Sequence, residues 1–332
     1  MKQILQKLTA YQTLSHKEAE DVMLSLGRGE FSQSHMTAFL TVFMMRSITL
    51  EELQGFVDAL LSLCISVDLG EDNTIDLCGT GGDGKDTFNI STTSAFVVSG
   101  AGQKVAKHGN YGISSSCGSS TVMEFLGASF TSDQEWLIKQ IQRSNICFLH
   151  APLFHPAMKH VGPIRKELGL KTFFNMLGPL VNPAFPSRQV TGVFNLELAR
   201  MYGYLAQKGG KNFTIIHDLM GYDEVSLTGP VKLVSSQKDT VVTPEELGFT
   251  RLKANEIAAG KDVQESALIL TQILQNAGTK SQTDVVLANA GLALANGSGI
   301  PEWKEGIERA RASIESGAAW NSFQQFFRNQ PS

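Results

Sequence analysis

The sequence predicts an α/β protein: a small all-helical domain plus a larger α/β domain with a mainly parallel central sheet flanked by helices. Three observations lead there. The first seventy residues carry helix starts and helical apolar spacing. From Thr74 onward short apolar runs alternate with helical patterns, the pattern of βαβ units and a mainly parallel sheet. The first of those runs ends in a glycine-rich loop, and in parallel sheets ligands gather at the carboxyl ends of the strands.

In the helical part, Ser15-His16-Lys17-Glu18 reads as a capping box, in which the Ser hydroxyl and the Glu carboxylate each satisfy a free backbone N–H. Ala19, Val22, Met23 and Leu26 follow at helical spacing, and Gly27 can close the helix. Thr49-Leu50-Glu51-Glu52 is a second capping box, with Phe56, Leu60, Leu63 and Cys64 as its buried stripe. Between them, Met36 to Met45 is apolar enough for a helix packed on several sides. Thr74–Cys78, Gln103–Ala106, Ile146–Leu149, Val190–Phe194 and Phe213–His217 are the strand candidates. Thr121–Leu126 and Leu196–Gln207 are helices between them, and Thr243-Pro244-Glu245-Glu246 reads as a helix start with Pro at its first position. The stretch His155–Gly178 looks helical again and the chain from Ser266 onward is mostly helical. The helical domain is therefore expected to be discontinuous, residues 1–68 and 160–182, with residues 71–159 and 183–332 forming the α/β domain.

Composition narrows the function classes. The chain has 332 residues, 42% hydrophobic and 18% charged, with a net charge of −4, which excludes a disordered chain and disfavours wrapping of nucleic acid. Cys64, Cys78, Cys117 and Cys147 form no Cys-x-x-Cys pair. The N-terminus does not read as a signal peptide and no apolar run is long enough for a bilayer span, so a reduced cytoplasmic setting is expected.

Gly79-Thr80-Gly81-Gly82-Asp83-Gly84-Lys85-Asp86-Thr87 is the densest signal. As a P-loop it fails at Asp86, where a Ser or Thr should hold Mg²⁺. As a dinucleotide fingerprint it fails because Ser94 to His108 contains no acid for a ribose hydroxyl. What survives is a backbone that can approach an anion and turn N–H groups toward it. Asn89-Ile90-Ser91-Thr92-Thr93-Ser94 adds amide and hydroxyl groups at a helix start, a second anion-binding feature. The plain alternative is a tight turn followed by an ordinary helix cap. One strand later, Lys107-His108-Gly109-Asn110-Tyr111-Gly112-Ile113-Ser114-Ser115-Ser116-Cys117-Gly118-Ser119-Ser120 places a cation and many donors at the next strand end. In Gly221-Tyr222-Asp223-Glu224 two adjacent carboxylates could meet a hard cation such as Mg²⁺, or merely form a solvated face. His150, His155 and His160, five apart, do not share a helix face and are no metal set. Arg165, close behind Pro163, reads either as a structural salt bridge or as a planar guanidinium awaiting a carboxylate.

Taken together, Asp76–Thr92, Lys107–Ser119, His155 through Asn175-Met176-Leu177-Gly178-Pro179-Leu180-Val181-Asn182-Pro183, and Gly221–Glu224 resemble the anthranilate phosphoribosyltransferase family. The resemblance implies an activity: the amine of anthranilate attacks C1 of 5-phosphoribosyl-1-pyrophosphate (PRPP), pyrophosphate leaves with Mg²⁺, and N-(5-phosphoribosyl)anthranilate forms, the second step of tryptophan biosynthesis from chorismate. It implies a small helical domain hinged to a larger α/β domain and a homodimer joined through the helical domain. It implies that Gly79, Gly82, Asp83, Thr87, Asn89, Ile90, Ser91, Thr92, Lys107, His108, Gly109, Asn110, Tyr111, Gly112, Ile113, Ser114, Ser115 and Ser119 bind PRPP. Gly79, Asn110 and Arg165 would bind anthranilate, Arg165 through its carboxylate, and Ser91, Asp223 and Glu224 would hold two Mg²⁺ ions. No certain catalytic base emerges; His108 could accept a proton late or only shape the pocket. Many family members have Arg at Tyr111, Lys-Ser at Ser116-Cys117 and Ala-Asp at Ser120-Thr121, so cations of the phosphate cradle are missing here. Two other readings remain: a pyrimidine-nucleoside phosphorylase-like enzyme, which has less need of the Asp223-Glu224 pair, and a non-catalytic relative that binds nucleic acid, which should be basic.

Overall fold

Local chemistry starts the helices where the capping signals lie. Ser15 accepts from the Glu18 N–H and Glu18 returns a bond to the Ser15 N–H, opening the helix His16–Gly27. Thr49 and Glu52 do the same for Leu50–Leu63. Between them Ser32 caps the helix Gln33–Met45. A computed structural model describes residues 1–112, 117–210, 212–236, 238–295, 303–328 and 330.

The chain divides into two units: residues 1–67 with 151–185, and residues 68–150 with 186–332. The returning segment of the first unit thus begins at Ala151, ahead of residue 160 where the sequence suggested it. It contains short helices, Ala151–Phe154, Gly162–Leu168 and Phe174–Leu177, with 3-10 turns at Pro156–Lys159 and Gly178–Leu180. Phe173 from this segment joins Phe39, Phe43 and Phe56 in an aromatic core, with ring centroids 4.8–6.0 Å apart. Glu52 is fully buried there. It accepts from the Leu14 and Thr49 N–H groups and is paired with Arg46, whose guanidinium also lies over the Phe43 ring. Burial works to raise the Glu52 carboxyl pKa, but these bonds win and hold it below its usual range.

Among the described residues the second unit has one seven-stranded sheet: β1 Ile75–Gly79, β2 Val105–Gly109, β3 Ile146–His150, β4 Arg188–Gly192, β5 Asn212–Asp218, β6 Val231–Ser235 and β7 Asp239–Val242. The order is β3-β2-β1-β4-β5-β6-β7; the first five strands are parallel, and β6 and β7 add an antiparallel hairpin. The hairpin escaped sequence reading because short strands of mixed polarity such as Val-Lys-Leu-Val-Ser give a weak period-two signal. The apolar helices Ile90–Gly100 and Lys280–Ala295 are buried along most of their length and anchor the core beside the sheet. One expectation fails. Thr243 and Glu246 form the reciprocal capping bonds, but the chain only turns through residues 243–249, with Phe249 N–H closing on the Pro244 carbonyl. The cap satisfies the first turn, and Leu247 and Phe249 reach the core, but Gly248 at φ 89° leaves helical geometry and ends the turn there. No helix among the described residues is long and apolar enough to cross a membrane.

Candidate functional site

The strand order reverses between β1 and β4: β1 leads outward to β2 and β3 on one side, β4 to β5 on the other. Such a switch point opens a crevice at the strands' carboxyl ends, and the glycine loop leaves β1 there. Gly81, Gly82 and Gly84 adopt positive φ, as does Asp86 at 49°. The loop is pinned on both flanks. The Thr80 N–H bonds to Gly192 O at the end of β4. Beyond it, the Ala259 N–H bonds to Asp86 O and Thr87 bridges Ala258. The strap Ile257–Ala259 carried no motif that sequence reading could have used.

The turn after β5 delivers Asp223 and Glu224 into the same place. Asp223 accepts from the Gly81 N–H at 2.6 Å, and Glu224 accepts from the Ser91 N–H at 2.8 Å at the start of the helix Ile90–Gly100. The approach explains two glycines. A Cβ on Gly79 would lie 2.3 Å from Asp223 Oδ2, and one on Gly192 would lie 1.3 Å from Asp223 O. Gly192 was not singled out from the sequence, since an isolated glycine closing a strand has many uses.

Burial pushes the Asp223 carboxyl up to about 7, with the neighbouring Asp83 charge adding to it. Burial, then Asp223 and Asp83, pushes Glu224 well above the usual carboxylate range. Three crowded acids are costly unless protonated or met by a cation. Among the described residues no three His, Cys, Asp or Glu side chains close around an ion by themselves. The donor set therefore fits a hard cation that takes its remaining oxygens from a ligand, as Mg²⁺ does with phosphates.

The second cluster lies at the ends of β2 and β3. Lys107 is 2% exposed and donates its ammonium to Leu77 O in β1 at 2.6 Å, so its charge is buried at the sheet. The His108 N–H bonds to the buried Asp76 carboxylate at 3.2 Å. Gly109 is held close to Phe148 and Ser119: a Cβ there would lie 2.3 and 2.9 Å from them. Asn110 O accepts from Ser119 Oγ and the Ser120 N–H, while Asn110 Oδ1 accepts from the Tyr111 N–H. Asn89 Nδ2 donates to Cys117 O at 3.0 Å and so joins the two loops. Tyr111 points its hydroxyl at Glu124, 2.6 Å away, and its ring lies nearly perpendicular to that of His150. Gly112 N lies where a Cβ on Gly118 would be. Ser91, Asp83, Thr87 and Asn89 are half-buried and Gly82 is buried in the loop region. Ile90 and Thr92 are 1% exposed, Ile90 within the core. Ile113, Ser114 and Ser115, with Ser116, lie outside the described residues.

Arg165 belongs to the helical unit. It sits at the middle of the seven-residue helix Gly162–Leu168, half-buried, with Nη2 3.2 Å from Asn175 Oδ1 and its guanidinium over the Phe174 ring. Among the described residues no carboxylate pairs with it, so the salt-bridge reading lapses. Burial brings its pKa down to about 10.

Two further residues hold the acidic turn. Asp218 accepts from the Met220 N–H and from both the N–H and hydroxyl of Ser226. Asn289, on the helix Lys280–Ala295, bonds to both the N–H and the carbonyl of Val225. A lone Asn within the otherwise apolar run Val285–Ala295 of that helix was the available signal.

Comparison with known proteins bears on both units. Residues 71–320 match the glycosyl transferase family a/b domain and residues 2–64 its helical bundle domain. An anthranilate phosphoribosyltransferase of Christiangramia forsetii is 57% identical, over 98% of this chain and 98% of the relative. The crystal structure of anthranilate phosphoribosyltransferase from Thermus thermophilus superposes with a TM-score of 0.90 at 32% identity, over 97% of this chain and 98% of the other. That from Saccharomyces cerevisiae, in complex with PRPP and Mg, superposes with a TM-score of 0.89 at 31% identity, over 97% and 95%.

Proposed function

The chain belongs to the anthranilate phosphoribosyltransferase family, and from that premise we propose that it transfers the 5-phosphoribosyl group of PRPP to the amine of anthranilate. The products are N-(5-phosphoribosyl)anthranilate and pyrophosphate, a step of tryptophan biosynthesis. The observation that carries this reading is the meeting of the glycine loop with the Asp223–Glu224 turn at the switch point.

PRPP lies against the loop through Gly79, Gly82, Asp83 and Thr87, and against the helix start through Asn89, Ile90, Ser91 and Thr92. Lys107, His108, Gly109, Asn110, Tyr111 and Gly112 continue the cradle, together with Ile113, Ser114, Ser115 and Ser119. Arg165 takes the anthranilate carboxylate, with Gly79 and Asn110 as the other acceptor contacts; its stacking on Phe174 and freedom from any acid among the described residues support that role. Ser91, Asp223 and Glu224 are the ligands of Mg²⁺, two ions per site, which when bound offset the charge of the pyrophosphate. The protein's own part is to fix donors where charge builds as the C1–O bond breaks; one such donor is commonly worth about 10²–10³ in rate. The aromatic amine is neutral at pH 7 with its lone pair available, so no strong base is required. His108 either accepts the proton late or shapes the pocket. A phosphorolytic enzyme would have less use for the paired carboxylates. We further infer a cytoplasmic homodimer joined through the helical unit, which light scattering would test by mass.

The decisive experiment follows anthranilate fluorescence on mixing with PRPP. A decay that requires both PRPP and Mg²⁺ is expected. No decay in folded protein, with phosphorolysis of a nucleoside instead, would replace this reading.

A further inference from the structure

We propose that Asn289 and Asp218 are positioning residues that clamp the turn bearing Asp223 and Glu224, and so set the geometry of the metal-binding carboxylates without touching ligand. The inference rests on the reading that Asp223 and Glu224 bind Mg²⁺.

The clamp grips the turn just beyond the acids. Asn289 Oδ1 accepts from the Val225 N–H at 3.0 Å, and its Nδ2 donates to Val225 O at 2.8 Å and to Val285 O at 2.9 Å. An amide that binds both backbone groups of one residue fixes the peptide planes on either side of it. One of those planes joins Glu224 to Val225. Asp218 works from the other side. Its N–H bonds to Tyr222 O at 3.1 Å, its Oδ1 accepts from Met220, and its Oδ2 accepts from the N–H and hydroxyl of Ser226. The turn is thereby closed into a ring with the two acids inside it. Leu227, immediately after, is buried with φ at 60°, a conformation that a branched apolar residue adopts only when its surroundings impose it. Packing alone does not call for Asn289. Its helix neighbours Val285, Val286, Leu287, Ala288 and Ala290 are apolar and buried, where a leucine would fill the space. The amide's value lies in holding Val225. Residues that orient a metal's ligands commonly change affinity by about 10–100-fold when removed.

Two uncharged substitutions test this, Asn289→Leu and Ser226→Ala, beside Asp223→Asn as the ligand control. Folding is verified by circular dichroism and melting. Mn²⁺ binding is then read by electron paramagnetic resonance with pyrophosphate present, and the Mg²⁺ dependence and the KM for anthranilate are read from steady-state rates. We expect both clamp variants to need about tenfold more metal, with the KM for anthranilate within about twofold of wild type. If Asn289→Leu does not fold, Ser226→Ala carries the same prediction. Unchanged metal affinity in the folded clamp variants, while Asp223→Asn loses it, overturns the clamp. Unchanged affinity in Asp223→Asn overturns the ligand reading and the clamp with it. Equal losses in metal affinity and in anthranilate KM would mean general disruption and also overturn it.

Discussion

Arg165 concentrates a problem of single side chains: a half-buried guanidinium whose only polar side-chain contact among the described residues is the neutral amide of Asn175. A planar fork in that setting gains most from a carboxylate. Arg165→Ala should therefore raise the KM for anthranilate at least tenfold and leave that for PRPP within a few-fold, as separate titrations in steady-state assays would reveal. Equal effects would deny it the acceptor role. His155 shows the opposite economy. It is 4% exposed, and burial takes its pKa down to about 4. The unfolded chain binds a proton near pH 6.5 where the native state does not. Stability is thus complete above that pH and is lost as pH falls toward 4, by at most on the order of 3 kcal/mol. Denaturant titrations from pH 7 to 4 should show that loss flattened in His155→Gln.

At the scale of elements, glycines decide how closely backbone can approach backbone. Gly192 ends β4 where Asp223 O occupies the space of a Cβ. Gly192→Ala must displace the acidic turn, because the obstructing atom is backbone and cannot rotate away. A fall in kcat of at least tenfold, with a higher Mg²⁺ requirement, is expected in steady-state assays of this variant. In the helical unit one acid serves both as a cap and as an ion-pair partner. Glu52 opens its helix and, fully buried, neutralises Arg46. Glu52→Ala would strip the Leu14 and Thr49 N–H groups and strand the arginine. The expected cost is about 3–5 kcal/mol, measurable by urea unfolding, whereas an exposed pair such as Lys17–Asp21 is screened by solvent and should contribute little.

For the molecule as a whole, ligand binding should register as stability of the α/β unit, which contains both the glycine loop and the acidic turn. PRPP with Mg²⁺ at one hundred times its Kd should stabilise by about 2.7 kcal/mol. The same PRPP with chelator should do much less, because the crowded acids would then face the pyrophosphate without a cation. Scanning calorimetry would register the difference as a shift in melting temperature.

How much was legible beforehand depended on how local the cause was. Both N-terminal capping boxes, the parallel strands and the loop from Gly79 to Thr87 were readable, because caps, apolar runs and glycine density act over a few neighbouring residues. The Thr243–Glu246 helix start was readable and misleading: its capping bonds form, but the chain leaves helical geometry at Gly248, φ 89°, before a second turn can follow. Asp223 and Glu224 were visible as adjacent acids. That they bond to the Gly81 and Ser91 N–H groups, far away in sequence, was not. The same holds for Gly192, Asp218 and Asn289, each ordinary in its own segment and significant only through what it meets. The sequence by itself determined the class of fold, the family and the residue types at the site. Only the tertiary structure decided which backbone groups each carboxylate grips, because those contacts join segments whose separation along the chain leaves no periodic or compositional trace.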